Sequence, residues 1–258
     1  MRGGIIFRTI LPDVRKDYPD NTIIAVDGNS QLWGTKANDV EIFSPEIIKK
    51  LDNYIVVIAT VQGYLSVKNK LVNEFGVEER CIDDKFARKV YSETFEVRKS
   101  FLYHLASVIK DRNIEGSCAE GGVFEGDFAK EINACFSDRT LFLFDTFDGF
   151  DERDISKEKG YVSERAGFFP DTAIDIDDTF AFVNLDFDLY APTLAGLKFF
   201  WPKMSKGGVI LVHDYFSTLL FDKYAFSKAK QAVDEFAQAE NCTFIPVGDK
   251  LSVAFVKN

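Results

Sequence analysis

The sequence predicts an α/β protein built on parallel strands, and three observations carry that expectation. Short β-branched apolar runs recur along the chain, three of those in its second half ending in an acidic residue. Between them lie segments with apolar residues at helical spacing. One junction, Cys118 to Lys130, runs from a strand through Glu120, Gly121, Gly122 and Gly126 into a helix, with the spacing E-x-G-x-x-x-G. Glycines there let backbone N–H groups come close to a ligand, and the helix N-terminus beyond favours a carboxylate or phosphate. The same glycines also serve tight packing of helix on sheet, so this loop alone leaves both readings open.

In chain order, Ile23 to Asp27 and Tyr54 to Ala59 read as buried parallel strands. Between them Ser44 is placed to N-cap a short helix with Pro45 at its first position, and a further helix runs from Tyr64 to Phe75. Helix-compatible sequence precedes Ile23 without a strand. Residues 1–85 are therefore expected to form a small, incomplete Rossmann-like unit, with Met1 to Gly4 as the tail of a glycine loop. A charged helix from about Phe86 to Arg112 bridges to the second unit, residues 113–258.

That unit begins with the glycine junction and continues with strands at Thr140 to Asp145, Phe180 to Asp186 and Val209 to Asp214. Helices are expected over Gly126 to Phe136, Tyr190 to Met204 and about Phe226 to Glu240. Two short runs flanking Gly248-Asp249-Lys250 close the chain as an antiparallel hairpin. In open α/β sheets ligands sit outside the carboxyl ends of the strands, so Glu120, Asp145, Asp186 and Asp214 are expected along one edge.

Composition excludes several classes. A formal charge of −10 with no basic stripe argues against nucleic acid and anionic membrane surfaces. No apolar run is long enough to cross a bilayer and the N-terminus carries no secretory pattern, so the chain reads as cytoplasmic. The 4 cysteines lack C-x-x-C pairing and read as core thiols. With 26 Phe against 2 Trp, the interior is expected to be phenylalanine-rich. There is no G-x-S-x-G nucleophile elbow and no P-loop, which disfavours acyl-enzyme and NTPase chemistry. Loss of the G-x-G-x-x-G pattern disfavours a nicotinamide dehydrogenase.

Two constellations remain. Asp145 follows the glycine loop at about the 20-residue offset at which a strand-end carboxylate meets ribose hydroxyls. Asp186, Asp188, His213 and Asp214 bring oxygen and imidazole donors to adjacent strand ends, although Asp188 is equally placed to cap the helix near Tyr190. His213 could also point into the core, and His104 reads as a packed or exposed helix residue.

The segments Ala119 to Ala129, Leu143 to Phe150, Gly167 to Thr172, Asp186 to Tyr190 and Gly207 to Tyr215, in that order, resemble the macrocin O-methyltransferase family. The resemblance implies a class I, S-adenosylmethionine-dependent methyltransferase fold, a seven-stranded Rossmann-like sheet with its last strand antiparallel. It also implies methylation of a sugar hydroxyl on a surface polysaccharide or glycosylated metabolite. By position, Glu120, Gly121, Gly122, Phe124 and Gly126 would hold the methionine end of the cofactor. Asp145, Thr146 and Phe147 would hold the ribose, and Phe168 and Phe169 would border the adenine. Asp186, His213 and Asp214 would bind Mg²⁺ or another divalent ion, with Asp186 as proton acceptor. The family often carries a second Asp where this chain has His213.

The stretch from Asp148 to Thr179 is short for the helix, strand and helix expected there. A catalytically silent cofactor-binding or scaffold protein is therefore the competing reading, and assembly into a homo-oligomer stays open.

Overall fold

The computed structural model describes residues 3–61, 63–145, 161–167, 169–216 and 228–258. It divides into two compact units, Met1–Ser92 and Glu93–Asn258.

The first unit opens with helix α1 (Gly3–Asp17). Its strands are short: β1 (Ala25–Val26), β2 (Lys36–Ala37), β3 (Val40–Phe43), β4 (Val56–Val57) and β5 (Ile82–Asp83). β1 pairs in parallel with β3, which pairs antiparallel with β2, while β4 pairs in parallel with β5. The two expected strands thus shrink to two residues each and enter separate sheets. Neither is fully buried, and their partners, β3 and β5, were not revealed by the apolar runs. Ser44 does cap the following 3₁₀ turn, its hydroxyl accepting from the Glu46 amide. Helix α2 (Tyr64–Asn73) packs Tyr64 and Leu71 into a core with Ile48, Ile58 and Val77. Buried Asp84 accepts from Tyr64 Oη at 2.7 Å and Lys68 Nζ at 2.8 Å, which satisfies a carboxylate that burial would otherwise penalise.

The expected bridging helix is two helices, α3 (Lys85–Glu93) and α4 (Phe95–Asp111), separated by a turn at Thr94, the N-cap of α4, with φ of −118° and ψ of −76°.

In the second unit, β6 (Ser117–Gly121), α5 (Asp127–Cys135), β7 (Thr140–Asp145), β8 (Tyr161–Ala166), β9 (Phe180–Leu185), α6 (Tyr190–Phe200), β10 (Met204–Val212), α7 (Lys228–Ala239), β11 (Phe244–Pro246) and β12 (Val253–Val256) follow in order. The seven strands line up as β11-β12-β10-β9-β6-β7-β8. Only β12 runs antiparallel to its neighbours, which is the class I methyltransferase arrangement expected. The order reverses between β6 and β9, so the crevice that such sheets use for ligands lies at their carboxyl ends.

Alternation along the strands builds two cores. Phe142, Phe144, Val183, Leu185, Ile210 and Val212 face α6 and α7, whereas Cys118, Leu141, Leu143, Phe182 and Leu211 face α4 and α5. The expected phenylalanine-rich interior is realised around Phe200, whose ring lies 5.8 Å from Phe144 and 5.0 Å from Phe180. Helix α6 stops there, short of the expected Met204, because Pro202 cannot supply an N–H and residues 201–203 tighten into a 3₁₀ turn. Strand β8 supplies the strand expected between Asp148 and Thr179, to which the sequence assigned no residues: its Tyr-Val-Ser-Glu-Arg-Ala run lies in a charged stretch, and among the described residues it stands at the sheet edge, paired with β7.

Phe200→Ala is expected to cost about 3 to 5 kcal/mol, the range for emptying a fully packed phenylalanine site. Denaturant unfolding monitored by circular dichroism measures it.

Candidate active site

The loop after β6 is shaped by backbone conformation. Gly122, Phe124 and Gly126 have φ of 82°, 53° and 76°, in the left-handed region, and Gly126 precedes α5 with no side-chain cap. Asp145 at the end of β7 pins this loop, its Oδ2 accepting from the amides of Val123 at 2.6 Å and Phe124 at 3.0 Å. The Phe124 ring is 54% exposed.

Gly121 and Gly122 also meet a packing demand. A Cβ on Gly122 would lie 2.1 Å from the Asp186 carbonyl oxygen, and one on Gly121 would lie 2.3 Å from the Phe187 ring. The loop after β9 passes directly over them, and the Asp186 amide donates to Gly121 O at 2.7 Å. Phe169, expected at the adenine, is 5% exposed and packs its ring against Phe187 at 5.1 Å and Phe200 at 5.9 Å. Thr146, Phe147 and Phe168 lie outside the described residues.

Glu120 faces α4 and α5 and is buried. Its Oε1 accepts from Asn184 Nδ2 at 2.8 Å, across the β6 and β9 pairing that sets the two residues side by side, while Oε2 has no partner. Burial pushes the Glu120 carboxyl up to about 8; the Asn184 hydrogen bond opposes this and the Asp186 charge adds to it.

Asp186, His213 and Asp214 converge at the ends of β9 and β10. His213 Nδ1 is 3.0 Å from Asp186 Oδ1 and 3.2 Å from Asp214 Oδ1. Although these are hydrogen-bond distances, Nδ1 is buried and makes no hydrogen bond, because neither oxygen lies in a donor direction. Adjacent ligands around a cation with bonds near 2.1 Å stand about 3 Å apart, so this donor set has the spacing of a coordination shell. The residues fit a divalent ion. Asp188, with φ of 59°, is outside this cluster, and the N-cap position of α6 is held by Leu189 rather than by Asp188.

Sequence reading missed Arg98. It projects from α4, is 7% exposed, and donates through Nη1 to Asp186 Oδ2 at 3.1 Å, with its guanidinium 4.3 Å from the Phe128 ring centre. Burial would raise the Asp186 pKa, but the charges of His213 and Arg98 outweigh it and hold the carboxyl below the ordinary range. Burial likewise would lower His213, yet Asp186 and Asp214 raise it to about 10. Asn184 was also missed, although an amide within the apolar run Phe180 to Leu185 was a visible signal. His104 is exposed, with Ser100 Oγ 3.5 Å from its Nδ1, and lies apart from this cluster.

A seven-stranded sheet of this order, with a glycine loop after its central strand and acidic residues at the neighbouring strand ends, defines a class I methyltransferase domain. Residues 159–247, less than half of the chain but including Asp186, His213 and Asp214, match the macrocin-O-methyltransferase (TylF) family. That match bears out the resemblance read from the sequence, and O-methyltransferase as the enzyme class. No curated protein matches. Among solved structures, the O-methyltransferase NovP is 22% identical, with 63% of this chain and 80% of that chain covered and a TM-score of 0.49. The TDP-rhamnose 3′-O-methyltransferase CalS11 of calicheamicin biosynthesis is 16% identical, with 76% and 92% covered and a TM-score of 0.47. The Podospora anserina methyltransferase PaMTH1, solved with S-adenosylhomocysteine, is 12% identical, with 83% and 93% covered and a TM-score of 0.48. No helix among the described residues is long and apolar enough to cross a membrane.

Because the folded pKa of Glu120 lies above its ordinary value of 4.5, its contribution to stability is complete below pH 4.5 and lost as pH rises through about 8. Glu120→Gln removes that titration. Relative to this variant, the wild type is expected to lose on the order of a few kcal/mol between pH 5 and 9, read from paired thermal melts.

Proposed function

We propose that the second unit transfers the methyl group of S-adenosylmethionine to a sugar hydroxyl, with a divalent cation at Asp186, His213 and Asp214. The convergence of those three donors beside the glycine loop, at the point where the strand order reverses, carries this reading. The sugar acceptor rests on the family resemblance.

The loop from Glu120 to Gly126 and the uncapped start of α5 would receive the methionine end of the cofactor, where backbone amides and the helix dipole favour a carboxylate. Asp145 would serve the ribose while it pins the loop, and Thr146, Phe147, Phe168 and Phe169 would complete the wall toward the adenine. A bound divalent ion, Mg²⁺ or another, would lower the pKa of the acceptor hydroxyl and offset its developing charge. Without the ion, His213 and Arg98 hold the Asp186 pKa down; with His213 bound through a neutral imidazole nitrogen, Arg98 would remain to favour the ionised carboxylate, whose Oδ1 keeps a second lone pair to receive the hydroxyl proton. The low basicity that keeps Asp186 charged also makes it a weak proton acceptor, so deprotonation depends on an acidified hydroxyl.

Titration calorimetry with S-adenosylhomocysteine is expected to show binding that falls at least about tenfold in Asp145→Ala, the equivalent of one lost charge-assisted hydrogen bond. Absence of binding at millimolar ligand rejects the reading. Methyl transfer from labelled S-adenosylmethionine to a panel of sugar nucleotides and glycosides is expected to drop about 100-fold or more in Asp186→Ala with cofactor affinity retained. Cofactor binding without turnover in the wild type would instead favour a silent scaffold.

A further inference from the structure

The cation reading of Asp186, His213 and Asp214 leaves open which kind of ion the site takes, and two features of this chain bear on that. The first is the donor set. One imidazole nitrogen stands within 3.2 Å of two carboxylate oxygens, and that nitrogen is buried without a hydrogen bond. Mg²⁺ takes oxygen ligands and water, whereas imidazole suits the later transition-series ions.

The second is Arg98. Its Nη1 occupies Asp186 Oδ2, so Asp186 turns a single oxygen toward His213. Its positive charge reduces the formal charge of the two carboxylates from −2 to −1 in a half-buried setting, where charge is less screened than in bulk water. Arg98 is held there by packing against the Phe128 ring at 4.3 Å and the Phe95 ring at 5.6 Å. A hard ion bound chiefly by charge loses most from this arrangement. An ion that gains from a directed nitrogen bond loses least.

We propose that the Asp186, His213 and Asp214 site selects a transition-series divalent cation, such as Fe²⁺ or Zn²⁺, over Mg²⁺, and that Arg98 enforces this selection by occupying one oxygen of Asp186. His213 supplies the nitrogen that discriminates, and Arg98 withholds the second oxygen and the charge on which Mg²⁺ would rely. The proposal rests on the trio being a cation site, as in the proposed function, and adds its selectivity.

The test uses the metal-free full chain with Mn²⁺ alone as probe, in the absence of any methyl acceptor. Loss of the free Mn²⁺ signal in electron paramagnetic resonance gives the affinity, and pulsed measurements on the bound ion report a directly bonded ¹⁴N. Mn²⁺ is expected to bind with ¹⁴N coupling, and Mg²⁺ to displace it only at about 100-fold higher concentration or more. His213→Asp is expected to abolish the coupling and shrink that ratio by at least about tenfold, and Arg98→Met to tighten Mg²⁺ by about tenfold. Retained S-adenosylhomocysteine binding and circular dichroism serve as folding controls, and if a variant fails them the wild-type ¹⁴N signal and Mg²⁺ competition decide. Bound Mn²⁺ without ¹⁴N coupling, or displacement by Mg²⁺ at parity, overturns the proposal while leaving metal-assisted methylation intact. No Mn²⁺ binding at all overturns both.

Discussion

The site depends on a crossing too close for side chains. The loop after β9 lies on the loop after β6, with the Asp186 carbonyl oxygen where a Cβ of residue 122 would stand and the Phe187 ring where one of residue 121 would stand. The Asp186 amide is fixed to Gly121 O at 2.7 Å, and His213 in the next strand is fixed by its own amide to Leu185 O at 2.9 Å. These two backbone bonds extend the parallel ladder one residue past the strands. They set the separation of Asp186 and His213 before either side chain chooses a rotamer, so the glycines place the donor trio as much as they shape a cofactor loop.

Helix α4 gives that geometry its charge. Arg98 brings a permanent cation to the carboxyl end of β9, and its burial against the Phe128 and Phe95 rings fixes where the cation sits. An arginine is suited to this position because it donates through Nη1 to a carboxylate oxygen while its guanidinium packs on Phe128. Removing it would leave Asp186 half-buried beside Asp214 with His213 as the remaining counter-charge in the trio.

The sheet was legible from sequence because its strands are buried on both faces and read as apolar runs, and the acidic ends of β7, β9 and β10 marked the ligand edge directly. The residues of β8 were hidden, although a strand was expected in that stretch, because an edge strand needs no such run, and the first unit's strands were overestimated because two-residue pairings leave little pattern. Asp186, His213 and Asp214 were found as neighbours because they share strand ends. Arg98 was not, since it comes from a helix 88 residues earlier whose charged residues look alike until the fold selects one. The double use of Gly121 and Gly122 was stated as an alternative by the sequence, and only the Asp186 and Phe187 contacts show that packing requires them.

Two acids on adjacent strands end with opposite ionisation. Glu120 and Asp186 are both held in the structure, yet the first is pushed up to about 8 and the second is pulled below the ordinary carboxylate range. Burial raises both. What separates them is the partner: Glu120 has an amide, Asn184, whereas Asp186 has a guanidinium and an imidazole. At neutral pH the proton therefore resides on Glu120, and the negative charge at the strand ends is concentrated where His213 and Asp214 converge. His213 first, and Arg98 after it, decide this division. Both are paired with Asp186 rather than Glu120, which leaves the interior acid neutral and able to stay buried, and keeps charged the acid that the proposed chemistry requires.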